Sequence, residues 1–148
     1  MKIDGRLYHY ALCRWKILMV ALIAAPFSIY PPAWGGETAN ETINVEQAVI
    51  CEAIQDLQPV HPAIAFPIKI GRVSCYTEFS NISRETLIFH RWYRRDSLVT
   101  EKKLVLKPPQ WSTYSSIQLR ESDKGPWRVD IVDARDRTLK TLRFSVTE

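Results

Sequence analysis

His90, Ser112, Ser115, Ser116, Asp130 and Asp133 are the residue types from which a hydrolase assembles a base, a nucleophile and an orienting acid. That chemistry needs all three within hydrogen-bond reach, and no nucleophile motif surrounds any of the serines. A satisfied, half-buried histidine is the simpler reading of His90. Cys51, His61, Cys75 and His90 are metal-ligating by type, but their gaps lack the short paired spacings of zinc sites. The sequence therefore predicts no metal and no cofactor.

Three further groups could bind rather than react. Trp111 follows Pro108-Pro109-Gln110 at a loop–strand boundary, with Tyr114 close by, and such aromatics at a sheet edge can hold a sugar or a peptide. The competing role is a tryptophan that only covers the edge. Arg91, Arg94 and Arg95 form the densest basic cluster and could meet an anionic partner; Asp96, Glu101 and Lys102 flank it, as in an ordinary solvated turn. Trp92 and Trp127 fall on apolar strand faces, where tryptophan more often fills a core than binds a ligand. The ligand-binding candidates are thus Trp111, Tyr114, His90, Arg91, Arg94 and Arg95.

These residues must be positioned by strands. Trp127, Val129 and Ile131 alternate with Arg128 and Asp130, and Leu142, Phe144 and Val146 alternate with Arg143 and Ser145. A period of two is that of a half-buried antiparallel strand. Asp133 to Arg137 joins the two as a polar turn. Val73, Cys75, Thr77 and Phe79 alternate in the same manner. Ile88, His90 and Trp92 share one face of the next segment, and Leu87, Phe89, Arg91 and Tyr93 the other. Aromatic bulk on both faces predicts a central strand. Leu98 to Leu106 reads as a returning strand with Leu98, Leu104 and Leu106 together, and Trp111 to Leu119 as another. Val45 to Ile54 permits a strand or a short helix. Pro59, Pro62 and Pro67 exclude regular structure between Gln58 and Ile68 on this reading. The total is about seven short strands, which predicts an all-β sandwich over residues 46–148.

The N-terminus reads differently. Lys2, Arg6, Arg14 and Lys16 precede an uncharged apolar run from Ile17 to Ala25, and Pro26 and Tyr30-Pro31-Pro32 follow. That order is the order of a secretory signal, with Ala33-Trp34-Gly35 as a tolerable cleavage site. The alternative is an anchor formed by residues 17–35, although a spanning helix needs about 20 apolar residues. Residues 1–35 are thus a signal peptide or an uncleaved anchor, and 36–45 a flexible lead-in. The expected location is periplasmic or extracellular, with membrane contact only if the leader stays.

The leader also carries most of the charge. The chain holds 20 basic and 16 acidic residues, net +4. Without residues 1–35 it loses Lys2, Arg6, Arg14, Lys16 and Asp4, which leaves 16 basic against 15 acidic, net +1. A nucleic-acid-binding domain needs a basic stripe in its folded part, so no nucleic acid is expected as partner. Cys13 falls in the leader. Cys51 and Cys75 remain, an even pair that an oxidising compartment could bridge, for roughly 3 kcal/mol on the chain-entropy model. Two buried free thiols are the alternative.

Four blocks resemble one known family. They are Gly71-Arg72-Val73-Ser74-Cys75-Tyr76-Thr77, His90-Arg91-Trp92-Tyr93, Trp111-Ser112-Thr113-Tyr114-Ser115-Ser116, and Gly125-Pro126-Trp127-Arg128-Val129-Asp130-Ile131-Val132-Asp133 running on through Leu139 to Phe144-Ser145-Val146. In order and spacing they are similar to the bacterial domain of unknown function 2914, over roughly residues 48–147. The resemblance implies an immunoglobulin-like sandwich, found alone after a leader or attached to membrane segments, and no established activity or catalytic residue. This chain departs from the family at the last turn. Asp136-Arg137-Thr138 stands where a glycine is usual, so a left-handed backbone there would cost about 1 kcal/mol.

The resulting functional expectation is a non-catalytic binding or interaction module of the bacterial envelope, presenting loops or an edge strand to an envelope protein or a glycan. An envelope hydrolase using His90 with a serine and an aspartate, or a purely structural accessory domain, are the alternatives.

Overall fold

The computed structural model describes residues 43–148, which lie in one compact unit. The leader, Cys13 and most of the lead-in fall outside the described residues. Nine strands follow in order: β1 (Asn44–Gln55), β2 (Gln58–Pro62), β3 (Ala65–Pro67), β4 (Arg72–Ser80), β5 (Thr86–Arg94), β6 (Ser97–Leu106), β7 (Trp111–Gln118), β8 (Gly125–Asp133) and β9 (Thr138–Thr147). Single 3-10 turns occupy Ile68–Ile70 and Glu121–Asp123. One sheet runs β2-β1-β4-β7 and the other β3-β9-β8-β5-β6. The two pack as an immunoglobulin-like β-sandwich. Every pairing is antiparallel except β3 with β9.

The alternating segments form the strands that their periodicity predicts. Trp127 pairs with Phe144 and Val129 with Leu142, so the apolar sides of β8 and β9 lie on one face. Strand β5 is flanked by β6 and β8, as its two-sided bulk requires. The segment open to either structure becomes β1. Three expectations are corrected. The prolines do not exclude regular structure between Gln58 and Ile68, because Pro59, Pro62 and Pro67 sit in two short peripheral strands that tolerate a missing N–H. The strand count is nine among the described residues for the same reason. Leu98 does not share a face with Leu104 and Leu106: the register shifts between Trp92 and Tyr93, pairs Leu98 with Tyr93 and turns it outward.

The core has two apolar clusters with a polar layer between them. Trp92, Trp127, Phe144, Phe66, Val73 and Cys75 belong to one. Phe79, Ile82, Ile88, Leu106 and Ile131 form the other. Trp127 stacks on Phe144 at 6.0 Å, and Trp92 meets the same ring edge-on at 6.1 Å. On β5, His90 separates Ile88 from Trp92. On β4, Thr77 separates Phe79 from Cys75.

The β8–β9 turn shows how the missing glycine is accommodated. Asp136 adopts φ 64°, the left-handed region that glycine enters most freely. Aspartate is among the residues that visit it most readily. Asp133, one of the least exposed charged groups, then fixes the loop. Its Oδ1 accepts from the backbone N–H of Arg135 and of Arg137, each at 2.9 Å, and its Oδ2 accepts from the Arg137 guanidinium at 2.8 Å. Burial alone would raise this carboxyl, but the hydrogen bonds from Arg137 and Arg135 outweigh it and hold the group below the usual carboxylate range. Asp133→Ala strands two backbone donors and removes the partner of Arg137. We expect it to cost about 2 kcal/mol in urea unfolding. A loss under about 0.5 kcal/mol would show that Asp136 and Arg137 hold the turn unaided.

Candidate functional site

His90 is fully buried between the sheets. Its Nδ1 lies 2.9 Å from Ser115 Oγ and its Nε2 3.2 Å from Thr77 Oγ1. The donors can be assigned around this chain. Thr77 donates its hydroxyl to the Thr113 carbonyl at 3.3 Å, so its oxygen accepts from His90 Nε2–H. Trp92 Nε1–H donates to Ser115 Oγ at 3.0 Å, which leaves the Ser115 hydroxyl to donate to His90 Nδ1. The imidazole is therefore neutral with its proton on Nε2, and burial pushes its pKa down to about 4. No buried side-chain nitrogen or oxygen among the described residues is left without a partner.

This layer contains a serine and a histidine in contact, yet it does not assemble the hydrolase arrangement. The position of the orienting acid is held by Thr77. Asp130 accepts from Thr141 and Arg128 on the outer face, and Asp133 is occupied in the β8–β9 turn. The His90 side chain is fully buried between the sheets. Burial therefore denies His90 to a ligand arriving from solvent.

Cys51 and Cys75 are free and buried. Of the two alternatives the structure has the free thiols, and the candidate bridge is absent for a geometric reason. Cys51 pairs with Ser74 and Cys75 with Ile50, so on adjacent strands their side chains point to opposite faces of the sheet. Burial pushes both thiols up, which makes each a small apolar side chain rather than a nucleophile. Among the described residues no group of histidine, cysteine and carboxylate side chains could hold a metal.

The arginine cluster is dispersed by the same alternation. Arg91 turns outward and pairs with Glu101 at 2.6 Å and Asp136 at 2.7 Å. Arg94 turns the other way and meets Asp123 at 2.9 Å. Arg95 lies in the β5–β6 turn at φ 45°, with its N–H on the Pro126 carbonyl. They make no common anion site.

Trp111 and Tyr114 remain exposed, at 38% and 45%. They do not form one platform. Trp111 pairs with Phe79, on the inward side, and Tyr114 with Tyr76, on the outward side. Lys107 Nζ sits 5.6 Å from the Trp111 ring centre. What the two share is strand β7 itself, which pairs with β4 on one side and with no strand on the other among the described residues. Sequence reasoning missed the residues beside that edge. Thr100 and Lys102 of β6 line a cleft of about 410 Å3 together with Ser116, Ile117 and Gln118 of β7, and Arg120 and Trp127 also line it. The signal was present: Trp111 to Gln118 contains no charged residue and no proline, unlike other edges of the molecule.

The fold and this open edge define an immunoglobulin-like β-sandwich domain. Residues 85–146 match the family model described as "Protein of unknown function (DUF2914)". The resemblance read from the sequence holds over these residues, which include three of its four blocks; Gly71–Thr77 lies upstream of the match. No curated protein matches the chain. Two solved structures are among those similar to the chain. A beta-glucosidase from Kluyveromyces marxianus is 11% identical with a TM-score of 0.41, over 72% of this chain and 14% of that one. A beta-D-glucoside glucohydrolase from Trichoderma reesei is 14% identical with a TM-score of 0.41, over 73% and 19%. This chain spans less than a fifth of either, and neither protein's activity bears on it.

Proposed function

We propose that this chain is a non-catalytic interaction module of the bacterial cell envelope that binds an extended segment of a partner protein along the open edge of β7. One observation carries the reading. A sheet edge exposes unpaired N–H and C=O groups that template another strand, and natural proteins guard such edges with charges, prolines or brevity. Here β2 is short and carries Pro59 and Pro62, β3 has three residues and Pro67, and β6 carries Glu101, Lys102 and Lys103 in succession. Strand β7, WSTYSSIQ, carries none of these and leaves Trp111 and Tyr114 exposed. Strand addition uses such an edge for affinity and the alternating side chains for selectivity. The basic, then apolar, N-terminal residues support placing the module in the envelope.

A photo-crosslinking residue in the full chain tests this directly. Placed at Ser112 on β7 it is expected to capture an envelope protein, and placed at Lys103 on β6 it is not. Adding Tyr114→Lys, a guard charge on the same edge, should reduce the β7 adduct at least tenfold. Equal adducts from both strands, or none from β7, would overturn the proposal in favour of a structural accessory domain.

A further inference from the structure

We infer that the segment taken up by β7 is acidic, with an apolar side chain and a carboxylate on the same face of the bound strand. This rests on the edge reading of β7 and adds the chemistry of the partner.

An added strand would continue the sheet about 4.8 Å beyond β7, with its side chains alternating between the two faces. On the inward side β7 presents Trp111, Thr113, Ser115 and Ile117. Partner side chains beside them hang over the gap between β7 and β6 rather than into water. At the Ile117 end that gap is the cleft lined by Thr100, Lys102, Gln118 and Arg120. Lys102 is brought there by its pairing with His90, which fixes it on the inward side of β6.

The charges of this cleft do not cancel internally. Its one carboxylate, Asp123, is held by Arg94 Nη1 at 2.9 Å and accepts from the Arg120 backbone N–H at 2.8 Å. Glu101, next to Lys102 in sequence, faces the opposite way and is held by Arg91. Neither Lys102 nor the Arg120 guanidinium has a side-chain ion pair among the described residues. Two cations thus line the cleft beside an uncharged edge, where a partner side chain would project. An acidic side chain at that place meets both, and a basic one is repelled. At the other end Trp111, with Lys107 over its ring, suits an apolar or aromatic neighbour. Trp111 and Ile117 share one face, so the partner's apolar and acidic residues share one as well, at an even spacing.

A library of random eight-residue peptides, displayed and selected on the full chain, is the probe. Peptides from the wild type are expected to carry Asp or Glu at least fivefold above the library frequency, two, four or six residues from a large apolar residue. Selection on Lys102→Glu/Arg120→Glu should replace that preference with Lys or Arg. Both substitutions are on exposed side chains, and an unchanged thermal unfolding curve confirms that the variant folds. For one selected peptide, Glu→Gln should weaken binding about tenfold, and hydrogen exchange at the β7 amides should slow when the acidic peptide binds. Peptides that protect β7 without an acidic preference would overturn the carboxylate specificity and leave the edge reading standing. Absence of enrichment, or enriched peptides that leave β7 amides unprotected, would overturn both.

Discussion

Trp92→Ala is expected to lower the stability of the sandwich by about 4 kcal/mol, measured as a fall in the urea midpoint at constant slope. Trp92 is completely buried, meets Phe144 edge-on and donates Nε1–H to Ser115. Truncation loses the transfer free energy of the indole and leaves a cavity that two hydrogen-bonded sheets cannot close, because the strand spacing is fixed by the ladders. It also removes the donor that orients the Ser115 hydroxyl toward His90. Domains of this size have total stabilities of about 5–15 kcal/mol, so the variant would lie near the threshold for folding at all. Trp92→Phe separates the two effects. It keeps most of the apolar contact, loses the hydrogen bond and should cost about 1–2 kcal/mol. A cost under about 1 kcal/mol for Trp92→Ala would mean that the indole does not hold the two layers together.

That role for Trp92 was legible from alternation alone, and so was the β8–β9 hairpin. Period-two patterning reports which side chains share a face, and burial of one face enforces it. It fails where an extra residue enters a strand. The register shift after Trp92 sends Leu98 outward, and nothing in Ser97-Leu98-Val99 announces it. Alternation also disperses Arg91 and Arg94, although adjacency in sequence made them look like a cluster. The cysteines show the complementary limit. Cys51 and Cys75 do reach neighbouring strands, but a bridge depends on parity, and the register of β1 against β4 puts them on opposite faces. Edge status is a property of topology. The uncharged run Trp111 to Gln118 is visible in the sequence, whereas the fact that no described strand lies beyond it, and that Lys102 and Arg120 border it, requires the order of both sheets.

Acidification from pH 7 to pH 4.5 is expected to remove roughly 2–3 kcal/mol of stability through His90 alone. The unfolded imidazole titrates near 6.5, while burial lowers the folded value to about 4. Between these values the unfolded chain binds the proton and the folded chain does not. Stability therefore rises with pH across the window from about 4 to 6.5, is complete above it, and is lost as pH falls. Asp133 acts in the same direction but at lower pH, because its folded carboxyl lies below an unfolded value of 3.8. Its contribution is intact above that value and does not overlap the histidine window. His61 is exposed beside Glu52 and lies outside the core, so His90 is the buried imidazole among the described residues. The structural reason for the penalty is the donor order of the polar layer. A proton on Nδ1 would face the Ser115 hydroxyl, whose oxygen already accepts from Trp92, and the Ser115 proton would lose its acceptor. His90→Gln supplies a carbonyl and an amide without a titration, so its unfolding free energy should be flat from pH 7 to pH 4.5 apart from background shared with the wild type. NMR titration of the His90 ring protons gives the same answer without a substitution, as a midpoint near pH 4. Equal pH slopes in wild type and His90→Gln, or a midpoint near 6.5, would place that ring in contact with water and dissolve the polar layer that divides the two halves of the core.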